Sequence, residues 1–187
     1  MNKFLDKLIR YFRVKKIISN IPKNVFKILD IGCGPKPWFF YLRSKNLENI
    51  DITAIDKIEY NFISNIPFKF IVYDVENPLP FDENSFDLVT ALALIEHLNN
   101  RENFLKEIYR ILKPEGILLM TTPSRLAKPI LEFLAFKLHL IDEKEITDHK
   151  YYFNKKEFKN ILEKIGFKNI KVKSFEFGFN IFVIAKK

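Results

Sequence analysis

The run Val25-Phe26-Lys27-Ile28-Leu29-Asp30-Ile31, closed by Gly32-Cys33-Gly34-Pro35, decides how this chain is read. A short apolar run that stops on glycine reads as a buried strand, and the glycines let the backbone turn sharply at its carboxyl end. The same kind of unit recurs downstream. Strands are expected at 49–56, 68–74, 86–94 and 116–123, with helical stretches at 38–46 and 101–112. Asn100 caps the second of these helices, whose Phe104, Leu105, Ile108 and Ile111 share one face, and Lys113-Pro114-Glu115-Gly116 stops it. Asn154-Lys155-Lys156-Glu157 has capping-box spacing ahead of a helix to Ile165, closed by Gly166. Two last strands, 168–177 and 179–185, meet at Gly178, a link too short for a parallel crossover. The pattern is α/β: a doubly wound, three-layer seven-stranded sheet with an antiparallel last strand.

The 187 residues allow one domain, and 48% apolar content suits a packed core without disulfide or metal staples. The single cysteine, Cys33, excludes a disulfide framework and fits a reducing compartment. No apolar run is long enough to span a bilayer, and the amino terminus lacks a signal-peptide core. A cytoplasmic protein is expected, with membrane association as an added expectation from its charge. Lys and Arg exceed Asp and Glu by eight, and residues 1–27 alone carry +7, which leaves the body nearly neutral. Residues 3–18 alternate Phe4, Leu5, Leu8, Ile9 and Phe12 with Lys3, Lys7 and Arg10 at helical spacing. Residues 1–24 are thus read as a basic amphipathic arm and 25–187 as the domain. The arm either meets anionic lipid or nucleic acid through residues 1–20 or presents a solvated basic face.

Ligands of doubly wound sheets bind beyond the carboxyl ends of the strands. Those ends carry useful groups here. Asp30, Gly32 and Gly34 follow the first strand, Asp56 and Lys57 the second, Asp74 and Val75 the third, and Ala91-Leu92 the fourth. A carboxylate at position 56 can accept both hydroxyls of a ribose, Asp74 can accept from an exocyclic amine, and backbone carbonyls near Leu92 can hold an ammonium group.

Six blocks, ILDIGCGP (28–35), AIDK (54–57), DVENPLPFDENSFDLV (74–89), IEHL (95–98), RILKPEGILLMTTP (110–123) and FNKKEFKNILEKIGF (153–167), resemble class I S-adenosylmethionine-dependent methyltransferases. The likeness is to the small type 11-like kind with a core like the ubiquinone-pathway enzymes, and it implies a Rossmann-like sheet. It implies S-adenosylmethionine as cofactor and S-adenosylhomocysteine as product. Asp30, Gly32 and Gly34 would surround the methionine part, Asp56 the ribose, Asp74 and Val75 the adenine, and Leu92 the amino group. Pro37, where a dinucleotide pattern wants glycine, counts against NAD(H).

For the acceptor, His97 and His149 are the candidate catalytic residues. Asp148 beside His149 suits an oriented imidazole, and His139 reads as structural. Glu96-His97 resembles the metal-binding stretch of ubiquinone-pathway O-methyltransferases, but Ala93 replaces its first glutamate, so no required metal is expected. The insert at 124–150, with Thr122-Pro123, an apolar helix over 129–139 and Asp148-His149, resembles the lid of small methyltransferases from polysaccharide and lipid-linked glycan pathways. The expected reaction is methyl transfer to a small-molecule or lipid-linked acceptor, through oxygen. The alternatives are an RNA or protein methyltransferase with a basic clamp, and a non-enzymatic nucleotide-binding module. Nucleic acid is the less favoured partner, because the arm is short of a footprint.

Overall fold

The computed structural model describes residues 4–41, 50–63 and 67–187. Helix α1 (Phe4–Ile18) precedes strands β1 (Lys27–Ile31), β2 (Asp51–Asp56), β3 (Lys69–Val72) and β4 (Phe86–Leu92). Then come α2 (Arg101–Ile111), β5 (Leu112–Pro123), α3 (Lys128–Phe136), α4 (Glu143–Thr147), α5 (Lys155–Ile165), β6 (Lys168–Phe175) and β7 (Asn180–Lys186). The sheet order is β3-β2-β1-β4-β5-β7-β6. β1 to β5 pair in parallel, and β7 lies antiparallel between β5 and β6. The doubly wound sheet with an antiparallel last strand is therefore present.

Each face of the sheet buries its own apolar layer, as strands covered on both sides require. One layer packs Phe104, Leu105 and Ile108 of α2 and Phe158 and Leu162 of α5 on the strands. The other joins Val14 and Ile17 of α1 to Trp38, Phe39 and Phe182. The basic arm is thus a wall of the domain, fastened by two buried side chains. Among the described residues no helix is long and apolar enough to cross a membrane.

Several boundaries differ from expectation for local reasons. The last hairpin does not turn on Gly178 alone. Glu176, Phe177 and Gly178 take positive φ of 51°, 56° and 93°, and the strands stop at Phe175 and start again at Asn180. β5 starts at Leu112 rather than Gly116, because the Lys113–Gly116 stretch is absorbed as a bulge between the pairs Phe86–Leu112 and Leu88–Ile117. Of the expected helix at 38–46, Trp38–Tyr41 form a 3-10 turn and positions 42–46 lie outside the described residues. The apolar helix ends at Phe136, and α4 follows it unanticipated. Its apolar face is not core. Phe133, Phe136, Leu138 and Leu140 are all exposed, and within α3 only Ala135 is buried.

α5 has the capping box its sequence encodes. Asn154 Oδ1 accepts from Glu157 N at 2.9 Å, Glu157 Oε2 accepts from Asn154 N at 3.5 Å, and Gly166 closes the helix at φ 115°. Asn154→Ala is expected to cost about 1 kcal/mol, read as a lower urea midpoint with an unchanged slope. An unshifted midpoint would mean that packing of Phe158 alone holds this helix end.

Candidate functional site: a cavity at the strand ends under α1 and the insert

A cavity of about 340 Å³ opens at the carboxyl ends of β1 and β4. The loop after β1 forms its floor. Gly32 N donates to Ile55 O at 2.8 Å, with φ at 67°. A side chain there would meet Leu94 at 2.9 Å, so only glycine lets the backbone run this close. At Gly34 (φ 64°) nothing lies within 4 Å of where a Cβ would stand, which leaves the outer face of the loop open. Gly34 N donates to Asp56 Oδ2 at 2.9 Å, and Ile58 N to Asp56 Oδ1 at 3.0 Å. Asp56 thereby couples the ends of β1 and β2.

The expected cofactor residues fall into two groups. Asp30, Gly32, Gly34 and Leu92 line the cavity. Asp56, Lys57, Asp74 and Val75 do not; they occupy the neighbouring strand ends, joined through the hydrogen bond from Tyr73 N to Asp56 O. The exposed Asp74 accepts from Glu76 N at 3.0 Å, Lys57 is exposed, and Val75 packs on the core. Asp30 is only 2% exposed. Burial pushes its carboxyl up to about 7 against hydrogen bonding from Thr90. A chain from Trp38 Nε1 to Thr90 Oγ1 (2.9 Å) and on to Asp30 Oδ1 (2.6 Å) fixes that carboxylate. Sequence reading missed Trp38 and Thr90, since a tryptophan in an apolar run carries no sign of a polar partner. Burial with Asp30 and Asp56 nearby pushes the Cys33 thiol up, so it is no nucleophile.

The opposite side of the cavity is built where the insert returns. Lys150 N and Tyr151 N both donate to Glu96 O, at 2.8 and 3.2 Å, and this brings His97 and His149 to a ring separation of 4.8 Å. The sequence pairs Asp148 with its neighbour His149; the structure does not. Asp148 Oδ2 lies 3.0 Å from His97 Nδ1, while His149 Nδ1 meets the Tyr152 hydroxyl at 2.8 Å. The backbone runs helically from α4 through Asp148, which turns the two side chains apart. Burial, then the charges of His97 and Arg13, push His149 down to about 4, so it is neutral at pH 7. Glu96 is fully buried and burial pushes its carboxyl up. Its Oε2 accepts from the Thr122 hydroxyl at 3.0 Å and its Oε1 has no partner. One oxygen of Glu96 and a ring nitrogen from each histidine lie within 4.8 Å of one another, a set able to hold a cation if it contracts. His139 stands apart and exposed, against Glu143 at 2.5 Å.

α1 forms the roof. Asp6, Lys7, Arg10 and Arg13 line the cavity, so part of the basic charge expected to face a membrane or nucleic acid borders the cavity instead.

This sheet order, with a glycine loop and a strand-end cavity, defines a class I S-adenosylmethionine-dependent methyltransferase fold. Residues 1–172 match the methyltransferase domain family. A demethylmenaquinone methyltransferase of Staphylococcus aureus (strain JH9) is 26% identical over 173 residues, 81% of this chain and 72% of the relative. The mitochondrial arginine-hydroxylase NDUFAF5 of Homo sapiens is 32% identical over 110 residues, 57% of this chain. The chain spans only 31% of that relative's length. Among solved structures, a SAM-dependent methyltransferase from Archaeoglobus fulgidus superposes with a TM-score of 0.72 at 18% identity, covering 97% of this chain and 94% of the other. The Haemonchus contortus phosphoethanolamine N-methyltransferase 2, solved with S-adenosyl-L-methionine, gives 0.69 at 17%, over 95% and 52%. The chain belongs to the methyltransferase domain family, whose cofactor is S-adenosylmethionine.

Proposed function

We propose that this chain transfers a methyl group from S-adenosylmethionine to an oxygen of a small-molecule or lipid-linked acceptor. The carrying observation is the His97–Asp148 pair at the edge of a cavity that also holds the glycine loop. When bound, the cofactor supplies a methyl already activated on a sulfonium, so the protein's work is alignment, exclusion of water and removal of one proton. The open face at Gly34 and the buried Asp30 fit the cofactor's amino acid part, with the Leu92 carbonyl beside its amino group. Asp56 is assigned the ribose and Asp74 with Val75 the adenine. His97 takes the proton of the acceptor hydroxyl on Nε2 while Asp148 holds Nδ1–H and stabilises the imidazolium. His149, held neutral, serves as a hydrogen-bonding neighbour.

Leu8, Tyr11 and Phe12 on α1 and Phe133, Phe136 and Leu140 of the insert are exposed apolar side chains on the segments that line the cavity, and Lys15 of α1 is exposed as well. That mixture suits peripheral contact with a lipid surface and favours a lipid-linked acceptor. The inward turn of Arg10 and Arg13 leaves little of the arm for a nucleic-acid clamp.

Calorimetry with S-adenosylhomocysteine tests the cofactor assignment. Asp56→Ala is expected to weaken binding by about one to two decades, because a carboxylate hydrogen bond and the support of Gly34 are lost together. Absence of binding by the unmodified chain would sink the reading. Transfer of labelled methyl to hydroxylated acceptors, with and without anionic vesicles, then tests the acceptor class.

A further inference from the structure

Arg10 and Arg13 are three residues apart on α1, so they point from one face of the helix, yet they serve different ends of the cavity. The Arg10 guanidinium donates to Lys36 O, and its charge is felt at Asp30, Cys33 and Tyr60 around the glycine loop. Arg13 donates to Asn180 Oδ1 at 3.1 Å, and its charge is felt at Glu96, His149 and Glu176. Asn180 opens β7 opposite Pro123, at the carboxyl end of β5, two strands beyond β1. Arg10 therefore stands over the cofactor end and Arg13 over the end that holds the two histidines.

The Nε of each arginine is buried without a hydrogen-bond partner. Asn180 in turn donates to Glu176. A guanidinium that keeps its charge at any working pH and holds a buried Nε–H with no acceptor is an unfinished site, because a buried donor without an acceptor costs free energy. Its planar fork is shaped for two oxygens of one oxyanion.

We infer that Arg13 binds an anionic group of the acceptor, a carboxylate or a phosphate, and so presents the neighbouring hydroxyl to His97. This deepens the methyltransferase reading and rests on it. The acceptor class narrows to hydroxylated acids or phosphorylated alcohols, free or at the head of a lipid.

The test uses the full chain saturated with S-adenosylhomocysteine and calorimetric titration with 2-hydroxybenzoate, phenyl phosphate and the neutral methyl 2-hydroxybenzoate. At least one anionic probe is expected to bind saturably. Arg13→Gln should weaken it about tenfold or more, Arg13→Lys less, and S-adenosylhomocysteine affinity should stay within about twofold. Which anion binds tells a carboxylate from a phosphate source. Arg10→Gln should instead weaken the cofactor product. Equal binding of anionic probes by Arg13→Gln and the unmodified chain overturns the inference, as does equal loss of the neutral ester or failure of every anionic probe. A loss of S-adenosylhomocysteine affinity in Arg13→Gln matching that of Arg10→Gln also overturns it, by moving Arg13 to the cofactor. Failure of the unmodified chain to bind S-adenosylhomocysteine speaks against the methyltransferase reading itself.

Discussion

His97→Ala is expected to slow methyl transfer by about 10²–10⁴-fold at neutral pH while S-adenosylhomocysteine binds as before, since a positioned general base is worth that much for a poorly acidic hydroxyl. The dyad makes this more than a count of histidines. Asp148 holds His97 Nδ1 at 3.0 Å and His97 lines the cavity, so Nε2 is the nitrogen left to act as the base. Asp148→Asn should cost less than His97→Ala, because the imidazolium formed in the step loses its counter-charge while the base nitrogen remains. His149→Ala should cost less again, because burial holds that ring neutral and it takes no proton from the acceptor. An acceptor turned over at full rate by His97→Ala would show that its nucleophile is acidic enough to need no base. The methyltransferase assignment would stand, and the catalytic one would fall.

Asp30→Asn should stabilise the ligand-free protein at pH 8 by about 2–4 kcal/mol, with the gain fading to nothing near pH 4. Burial pushes the folded carboxyl up to about 7, against about 3.9 in an unfolded chain. Below pH 4 both states hold the proton and Asp30 costs nothing. Between roughly pH 4 and 7 the unfolded chain releases its proton first, so folded stability falls as pH rises, and above 7 the loss is constant. Asparagine has no proton to lose and still accepts from the Thr90 hydroxyl through Oδ1. The same carboxylate, once ionised, should hold the amino group of a bound cofactor. Affinity of the unmodified chain for S-adenosylhomocysteine should therefore rise between pH 5 and 8, while that of Asp30→Asn stays flat and weaker. Urea titrations at pH 4 and 8 check the first part. Equal stability of the two proteins at pH 8 would mean that water in the cavity already solvates the carboxylate.

The parallel strands and their order of use were legible because each is a short apolar run bounded by glycine or charge, and such runs have few other places to go. Asn154 and Gly166 announced the ends of α5 for the same local reason: a cap is chemistry between near neighbours. What stayed hidden depended on distant contacts. Asp148 next to His149 in the chain suggested a pair, yet the bonds from Lys150 and Tyr151 to Glu96 O bring His97 in instead. The basic residues of the arm read either as a surface for anionic lipid or nucleic acid or as a solvated face, because nothing in residues 1–27 says that Val14 and Ile17 would dock and carry Arg10 and Arg13, on the same side of the helix, to the cavity. The amphipathic pattern gave the helix and left its orientation open.

The insert is held at both roots. Ser124 N donates to Phe179 O and Arg125 N to Phe153 O at one end, and the two bonds to Glu96 O fasten the other. A flap with a free edge could swing aside whole; a segment tied down at both feet confines any displacement to the arch of α3 and α4 between them.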